Sequence, residues 1–174
     1  MTDKEARFSK IVNQYSEQLY WKARQIVVRH EDADDVVQNA FLKAWARFDD
    51  FRGDANIYTW IYRITVNEAI DFLRRKHEQV SPDGEMRVAD NQFAEDYFDG
   101  NETQKMLYEA METLPEAQRA TFSLRYFDDM PYSEISKILG TTEGGLKANY
   151  HLAVKKIKDF FSTQELNFCN YQSS

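Results

Sequence analysis

Three observations in the sequence predict an all-helical protein: two small helical domains joined by a flexible acidic linker, with a helix-turn-helix in the C-terminal domain. Glycine and proline number only 6 and 3 among 174 residues, and alternating apolar and polar residues are hard to find, which disfavours strands and tight turns. Apolar residues instead recur with the 3.6-residue period of an α-helix. Acidic residues crowd into one segment without that period, and this segment divides the chain into two parts.

Three helices are predicted before the acidic segment, over residues 8–27, 32–48 and 57–75, because each stretch has apolar side chains three and four positions apart. Asp32 can cap the second helix, with further acids in the first turn at the positive end of the helix dipole. Residues 48–54 break the pattern and predict a loop. The third helix is apolar on two faces, which leaves a narrow polar strip of Arg63, Asn67 and Arg74.

The predicted linker spans residues 78–103, where eight acids accompany a single arginine and the sequence Ser-Pro-Asp-Gly signals a turn. We therefore expect an N-terminal domain over 1–77, a C-terminal domain over 104–162 and a short tail over 163–174. The formal net charge of −7 comes mainly from the linker, because the two domains hold 13 basic against 12 acidic residues and 8 against 8. The net acidity therefore does not exclude nucleic-acid binding by either domain.

A helix-turn-helix is predicted in the C-terminal domain. Pro115 suits the first turn of a preceding helix. A short helix over 133–139 comes next, and Gly140 is placed to end it in the left-handed conformation. A longer helix then opens at Thr141-Thr142-Glu143 and runs to Phe161. Short helix, glycine-containing turn and second helix are the parts of this DNA-binding motif.

The longer helix of the motif carries the charge expected of a DNA-reading element. Residues 144–158 contain four lysines and no acid. One stripe of this helix is able to face phosphates and base edges, and it consists of Lys147, His151, Lys155 and Lys158. A lysine face on an ordinary surface helix is the alternative interpretation. The short helix and turn before it favour DNA binding.

Few residues of the sequence suit metal binding or catalysis. The single cysteine, Cys169, excludes a disulfide within the chain, and the three histidines, His30, His77 and His151, form no ligand pair at helical spacing. We find no phosphate-binding loop or nucleophile constellation, so neither an enzyme nor a metal or other cofactor is expected. Met1–Lys10 lacks the apolar core of a signal peptide, and no apolar run approaches about 20 residues, which predicts a cytoplasmic protein without membrane insertion.

Two segments of the first domain have longer recognisable patterns. Residues 53–64 read GDANIYTWIYRI and are followed by Asn67 and by DFLRR at 71–75. Residues 35–45 read DVVQNAFLKAW. Together with the helix-turn-helix and the Leu-Pro pair upstream of it, these segments resemble the extracytoplasmic-function (ECF) sigma factors, which are promoter-recognition subunits of bacterial RNA polymerase. The likeness covers residues 8–161 in the order and spacing of that family.

The resemblance implies an alternative sigma factor that binds core RNA polymerase, directs it to specific promoters and assists promoter opening, with no catalytic activity of its own. Its partners would be the β′ clamp and β subunits of the polymerase, promoter DNA and an anti-sigma factor. The polymerase-binding residues implied are Asp35, Gln38, Asn39 and Leu42. The −10 element, captured as single-stranded DNA, would contact Phe51, Arg52, Asn56, Tyr58, Thr59, Trp60, Arg63, Asn67 and Arg74.

The residue types in this second set suit the capture of unpaired bases. Aromatic rings such as those of Phe51 and Tyr58 stack on bases for ~1–3 kcal/mol each. Asn67 offers a donor and an acceptor together, and the arginines can hold the phosphate backbone. The alternative for Tyr58 and Trp60 is a place in the protein core, and for Trp60 this alternative is at least as well supported as direct contact with DNA.

The resemblance also assigns contacts with the −35 element to the helix-turn-helix, at Ser133, Glu143, Gly144, Lys147, Asn149, His151 and Lys155. One departure from the family lies here. Residues 145–149 read GLKAN where a Thr-Val-Lys-Ser-Arg-like sequence is common, and Leu152 occupies a position that is often basic. Fewer guanidinium groups mean fewer bidentate contacts with guanine, which puts the family's −35 preference in doubt for this chain.

Two alternatives remain at this point. The linker is either an acidic mimic of nucleic acid threaded through the channels of the polymerase, as the resemblance implies, or a solvated tether. A free-standing helix-turn-helix regulator that binds duplex operators would explain residues 131–161, but it would leave the first 77 residues without a purpose.

Overall fold

Every regular element that the structure describes is a helix, as the sequence predicts. The computed structural model describes residues 1–53, 56–79 and 102–172. Most of the predicted linker, residues 78–103, lies outside this part of the chain. The chain divides into two units, Met1–Phe93 and Ala94–Ser174, each with its own apolar core.

The first unit packs three helices against one another: α1 (Asp3–Val27), α2 (His30–Arg47) and α3 (Ile57–Gln79), with a 3₁₀ turn at Phe48–Asp50. α1 begins five residues before its predicted start because Thr2 and Glu5 form a capping box. The Thr2 hydroxyl accepts the Glu5 N–H at 3.2 Å, and the Glu5 carboxylate accepts the Thr2 N–H at 2.7 Å. Two N–H groups that a helix start leaves without partners are thereby satisfied.

The prediction that Asp32 caps α2 was wrong. The helix begins two residues earlier, at His30, and Arg29 occupies the cap position without a side-chain hydrogen bond. Asp32 therefore lies in the first turn, where its charge still favours the positive end of the helix dipole. Its carboxylate also lies 3.5 Å from the Nζ of Lys76 on α3. Asp32 therefore forms an ion pair between α2 and α3 and does not cap α2.

The turn between α1 and α2 is centred on Val28, which has φ 73° and ψ −47°. The Arg29 N–H donates to the Val27 carbonyl at 2.9 Å, and this bond closes a three-residue γ-turn. A β-branched residue rarely adopts a positive φ. Here the Val28 side chain is buried, so apolar packing compensates for the backbone strain.

α3 is packed on two sides, as its two apolar faces predict. Its fully or nearly fully buried apolar residues include Ile61, Val66, Ala69 and Leu73. The other predicted apolar positions, Ile57, Trp60, Tyr62 and Ile64, are partly buried. The polar strip between the faces stays outside, because both flanks of the helix are held by neighbours.

A buried carboxylate that the sequence did not reveal joins α2 to α3. The Glu68 side chain is 1% exposed and pairs with Lys43 of α2 and with Arg75 of α3, whose Nη2 lies 3.2 Å from the carboxylate. Burial by itself raises the pKa of Glu68, but the hydrogen bonds and charges of Lys43 and Arg75 outweigh it and leave the pKa below its ordinary 4.5. The carboxylate is therefore ionised at neutral pH. Because Glu68 itself lies on α3, its ion pair with Lys43 links α3 to α2.

Four helices are described in the second unit: α4 (Glu102–Glu112), α5 (Glu116–Phe122), α6 (Tyr132–Leu139) and α7 (Glu143–Gln172), and α5 continues into a π-helical turn at Ser123–Phe127. Pro115 precedes α5 at the cap position and does not lie in its first turn as predicted. α7 continues past Phe161 to Gln172, so the segment set apart as a tail is helical for most of its length.

The core of the second unit lies between α7 and the helices before it. Its buried residues are Ala110, Met111, Leu114, Phe122, Ala153 and Ile157. Because this core covers one side of α7 only, the opposite side of the helix is left exposed. None of the helices in the described ranges has the length and apolar character required to cross a membrane.

Candidate functional sites

The four residues predicted to bind the polymerase lie together on the outer side of α2. Asp35, Gln38, Asn39 and Leu42 are all exposed. Their spacing of three and four residues places them on one face of the helix, away from the buried face that includes Val36 and Ala40. Leu42 is 67% exposed, which is unusual for a large apolar side chain in this protein. The face therefore offers two amides and a carboxylate around an apolar group.

A groove of about 520 Å³ lies beside this face, between α1 and α2. It is lined by Glu5, Phe8, Ser9, Gln38, Phe41, Leu42 and Trp45. The Phe8 ring holds its wall in place through edge-to-face contacts with Phe41, Trp45 and Phe48, at centroid distances of 6.3, 5.2 and 5.4 Å. Sequence reasoning missed the contribution of α1, because only packing brings residue 8 beside residue 42.

The residues predicted to bind single-stranded DNA begin in the segment before α3. Asn56 caps this helix, since its side-chain oxygen accepts the Tyr58 N–H at 2.9 Å. The Phe51 and Trp60 rings contact each other at 5.1 Å between centroids, and both residues are partly buried. Tyr58 is also partly buried and lies 5.0 Å from the Tyr15 ring. These three aromatic residues therefore pack within the unit and remain partly exposed.

The polar residues of this set form a row along α3. Thr59, Arg63 and Asn67 are exposed at intervals of four residues, and Arg74 follows seven residues later. Arg74 lies 3.8 Å from Asp71, an exposed and therefore weak ion pair. Arg52 is also exposed in the preceding segment, while Asp54 and Ala55 lie outside the described residues. The row presents cationic and amide groups next to partly exposed rings.

The turn of the helix-turn-helix has the geometry that the sequence predicts. Gly140 adopts φ 68° and ψ 24°, a left-handed conformation that favours glycine. The Ser136 hydroxyl donates to the Thr141 carbonyl at 2.7 Å, and the Thr142 hydroxyl accepts the Gly145 N–H at 3.1 Å. A Cβ on Gly145 would lie only 3.0 Å from the Thr141 methyl group. The tight turn thus depends on the left-handed conformation of Gly140, on the hydroxyl groups of Ser136 and Thr142, and on the small size of Gly145.

The predicted DNA-reading residues of α7 are mostly exposed. Glu143, Gly144, Lys147, His151 and Lys155 face outward, as does Ser133 on α6, whereas Asn149 is half-buried at the edge of this face. Two contacts were missed from the sequence: the Lys147 Nζ lies 5.9 Å from the centre of the Tyr132 ring, and the Arg125 guanidinium lies 4.8 Å from the same ring. Cation–π contacts of this kind restrict where the lysine points.

Tyr150 packs α7 against the rest of its unit. Its ring stacks on Phe122 at 5.9 Å and 16°. Burial raises the pKa of Tyr150, with a further rise from Tyr132 that the charge of Arg125 partly offsets. The phenol is therefore neutral at physiological pH and serves packing. Within the described residues, no three His, Cys, Asp or Glu side chains are grouped so that they could hold a metal ion.

Known families and relatives match both units. A family model for sigma-70 region 2 matches residues 11–79, and one for sigma-70 region 4 matches residues 104–157. The chain is 33% identical over 139 residues to the ECF RNA polymerase sigma-E factor of Escherichia coli (strain K12), which covers 72% of each chain. It is 29% identical over 155 residues to the ECF RNA polymerase sigma factor SigW of Bacillus subtilis (strain 168), which covers 83% of each.

Two solved structures share the fold. One is the sigma factor RpoE in complex with the anti-sigma factor NepR from Bartonella quintana, with a TM-score of 0.63, 23% identity, and coverage of 90% of this chain and 97% of that chain. The other is CnrH in complex with the cytosolic domain of CnrY, with a TM-score of 0.58, 22% identity, and coverage of 91% and 90%.

Proposed function

The chain belongs to the extracytoplasmic-function sigma factors, and on that premise we propose how its exposed residues divide the work of promoter recognition. As a member of this family it is an alternative sigma factor that directs RNA polymerase to promoters, and it is an initiation factor rather than an enzyme. This assignment of separate roles to α3 and α7 is supported by the different side chains that the two helices expose. α3 exposes amide and cationic groups beside aromatic rings, whereas α7 exposes a basic face after a helix-turn-helix.

The outer face of α2 binds the β′ clamp of core polymerase in this proposal. Asp35, Gln38 and Asn39 supply hydrogen bonds, and Leu42 supplies the apolar centre that interfaces generally bury. The domain over residues 1–77 would thus combine polymerase binding with −10 recognition, and the domain over 104–162 would bind the −35 element. Contact with the β subunit belongs to the same proposal.

The polar row along α3, with the aromatic residues beside it, captures the unpaired bases of the −10 element. Extracting a base from the duplex costs a few kcal/mol, so several contacts act together. Partly exposed rings stack on bases, Asn67 bonds to a base edge, and Arg63 and Arg74 hold phosphates. Phe51 and Trp60 contact each other, so we assign them to the wall of a base pocket, with Arg52, Asn56, Tyr58 and Thr59 around it.

The exposed face of α7 enters the major groove of the −35 duplex, with Ser133 of α6 beside it. Lys147, His151 and Lys155 contact phosphates or base edges. Glu143 and Gly144 begin the helix close to the DNA, and half-buried Asn149 approaches it from the side.

We also propose an anti-sigma factor as a partner, because two structures of the same fold are complexes, one with the anti-sigma factor NepR and one with the cytosolic domain of CnrY. A cytoplasmic location follows from the need to reach polymerase and promoter DNA. Passage of the acidic linker through polymerase channels is consistent with its charge, since eight acids over residues 78–103 resemble a polyanion.

Two experiments test the assignment as a promoter-recognition subunit of polymerase. The purified chain is expected to co-purify with core polymerase and to support run-off transcription from promoters mapped with the holoenzyme. A regulator that acts without polymerase would do neither, although it would bind duplex DNA. Failure of both assays would overturn the function stated here.

The role of Asn67 is tested with an Asn67→Ala variant. Permanganate reactivity of unpaired thymines at −10 is expected to fall while binding to core polymerase stays unchanged. Asn13→Ala, an exposed asparagine on α1, is the matched control and is expected to open promoters normally. Equal opening by Asn67→Ala and wild type would refute the contact.

A further inference from the structure

The reading helix α7 has an apolar row beside its basic row. Leu152 is 42% exposed, and Ala148, one turn earlier, is exposed as well. Lys147, His151 and Lys155 lie in the adjoining row of the same exposed side, because residues four apart follow one another along a helix face. The two rows together form the outward surface of the helix.

This apolar row is not a part of the core. Leu146, Ala153 and Ile157 of the same helix are buried on the opposite side. Among the residues that the structure describes, the exposed large hydrophobic side chains are Met1, Leu42, Tyr126 and Leu152. Leu152 is therefore one of the few large apolar side chains in this part of the chain that lie on the surface.

The cations around the row indicate the kind of occupant. Lys147, Lys155 and Lys156 are exposed beside Ala148 and Leu152, and residues 144–158 contain no acid. A surface of this charge complements a phosphate backbone. Lysines on both sides of the apolar pair make this surface better suited to the base edges of a DNA groove than to a hydrophobic protein surface.

The apolar group that the major groove offers is the 5-methyl of thymine, which alanine and other apolar side chains contact. Guanine, in contrast, is read by paired donors from arginine or lysine, and neither Ala148 nor Leu152 has a donor. Side chains four residues apart on a helix are separated by about 6 Å along the axis, whereas successive base pairs rise by about 3.4 Å. The pair therefore spans one or two base-pair steps.

We propose that Ala148 and Leu152 read thymine methyl groups in the −35 duplex and make this chain specific for thymine at one or two neighbouring positions. Lys147 and Lys155 hold the helix in the groove while the apolar row selects the bases. The inference rests on the proposed role of α7 as the −35 reading helix. It assigns Leu152 a specificity role that the basic stripe does not provide.

The test uses holoenzyme made from core polymerase and the full-length chain. A preferred −35 duplex is selected from a pool randomised upstream of the −10 region, and each thymine is then replaced by deoxyuridine, which removes only the 5-methyl group. Binding is expected to weaken about fourfold at one or two positions, the effect of removing one buried methyl. Leu152→Ala is expected to bind the thymine duplex about fourfold more weakly and to lose the deoxyuridine response at the position that Leu152 contacts, while any response at the position of Ala148 remains.

Two further variants make the result specific. Leu152→Met keeps an apolar side chain and is expected to retain the deoxyuridine response. Leu152→Arg is expected to shift the selected base from thymine towards guanine, because it introduces a paired donor.

Several results would overturn the inference. They are a selected −35 element without thymine, an equal deoxyuridine response in wild type and Leu152→Ala, and weaker binding of Leu152→Ala to core polymerase in the absence of DNA, which would make Leu152 a protein contact. Sequence selection without methyl sensitivity overturns this inference and leaves the proposed −35 role intact. Failure to select any upstream sequence overturns both.

Discussion

The two units of this protein present their candidate DNA contacts in different ways. In the first unit, the contacts come from the segment before α3 and from α3 itself, and partly buried rings such as Phe51 and Trp60 belong both to the packing and to the proposed site. In the second unit, nearly all contacts lie on one face of α7, opposite its core residues. The first site therefore depends on the core of its unit much more closely than the second.

The difference follows from what each site is proposed to bind. An unpaired base needs a pocket with walls, and walls are built by packing several elements together. A duplex has a preformed groove that a single helix can enter. We therefore expect core substitutions to impair −10 capture, whereas surface substitutions on α7 alter −35 binding without changing stability.

The largest expected effect tests whether the two units have independent cores. Ile61→Ala, at a fully buried position of α3, is expected to lower the free energy of unfolding of the first unit by about 3 kcal/mol through lost burial and a cavity. Hydrogen exchange measured by mass spectrometry should show faster exchange in α1, α2 and α3 only. Leu146→Ala, fully buried in α7, is the matched control and should affect the second unit only. Loss of protection in both units with either variant would contradict separate cores.

A second, smaller effect tests the carboxylate that joins α2 to α3. Glu68→Gln removes an ionised partner from Lys43 and Arg75 and is expected to destabilise the first unit by about 2 kcal/mol at pH 7. Urea unfolding measures this change. Asp71→Asn, in an exposed pair with Arg74, is the control and should change stability by less than about 0.5 kcal/mol.

The same variant has a pH signature. The folded pKa of Glu68 lies below its ordinary 4.5, so its contribution to stability is complete above that pH and is lost as the pH falls from about 4.5 through the folded pKa. Wild type and Glu68→Gln are therefore expected to converge in stability over this acidic range. A difference that stays constant from pH 7 to pH 3 would show that ionisation of Glu68 is not responsible.

A third prediction concerns the turn that orients α7. Thr142→Ala removes the hydroxyl that accepts the Gly145 N–H and is expected to cost about 1 kcal/mol, within the second unit. Thr163 lies in the same helix, and its hydroxyl only donates to the Asp159 carbonyl. Thr163→Ala should therefore leave the stability of the second unit almost unchanged. Thermal unfolding compares the two variants. Equal stability of both would show that the cap is not needed.

The smallest expected effect concerns Lys147 on the exposed face of α7, where a substitution should change DNA binding but not stability. Lys147→Ala should leave stability unchanged but weaken −35 duplex binding and reduce the slope of log affinity against log salt by ~1. Lys137→Ala, an exposed lysine on α6, is the matched control. Binding isotherms at several salt concentrations provide the measurement, and an unchanged slope for Lys147→Ala would exclude a phosphate contact.

Local features of the sequence predicted much of the fold and of the second site. The turn at Gly140, the start of α7 near Thr142 and the exposed face around Lys147 all depend on residues within a few positions of one another. The error in predicting the start of α2 also came from reading only nearby residues. Asp32 was taken as a cap because acids favour helix starts, but the buried γ-turn at Val28 lets α2 begin at His30.

Local sequence patterns were enough to predict the helical class, the polar strip of α3 and the basic face of α7, because helical periodicity and end signals act over one or two turns. The packing of the folded chain was needed to show that Glu68 pairs with Lys43, that Phe8 supplies a wall beside Leu42, and that Trp60 is half-buried against Phe51. In the first two cases the partners are 25 and 34 positions apart, and in all three the contact exists because the burial of apolar surface brings separate elements together.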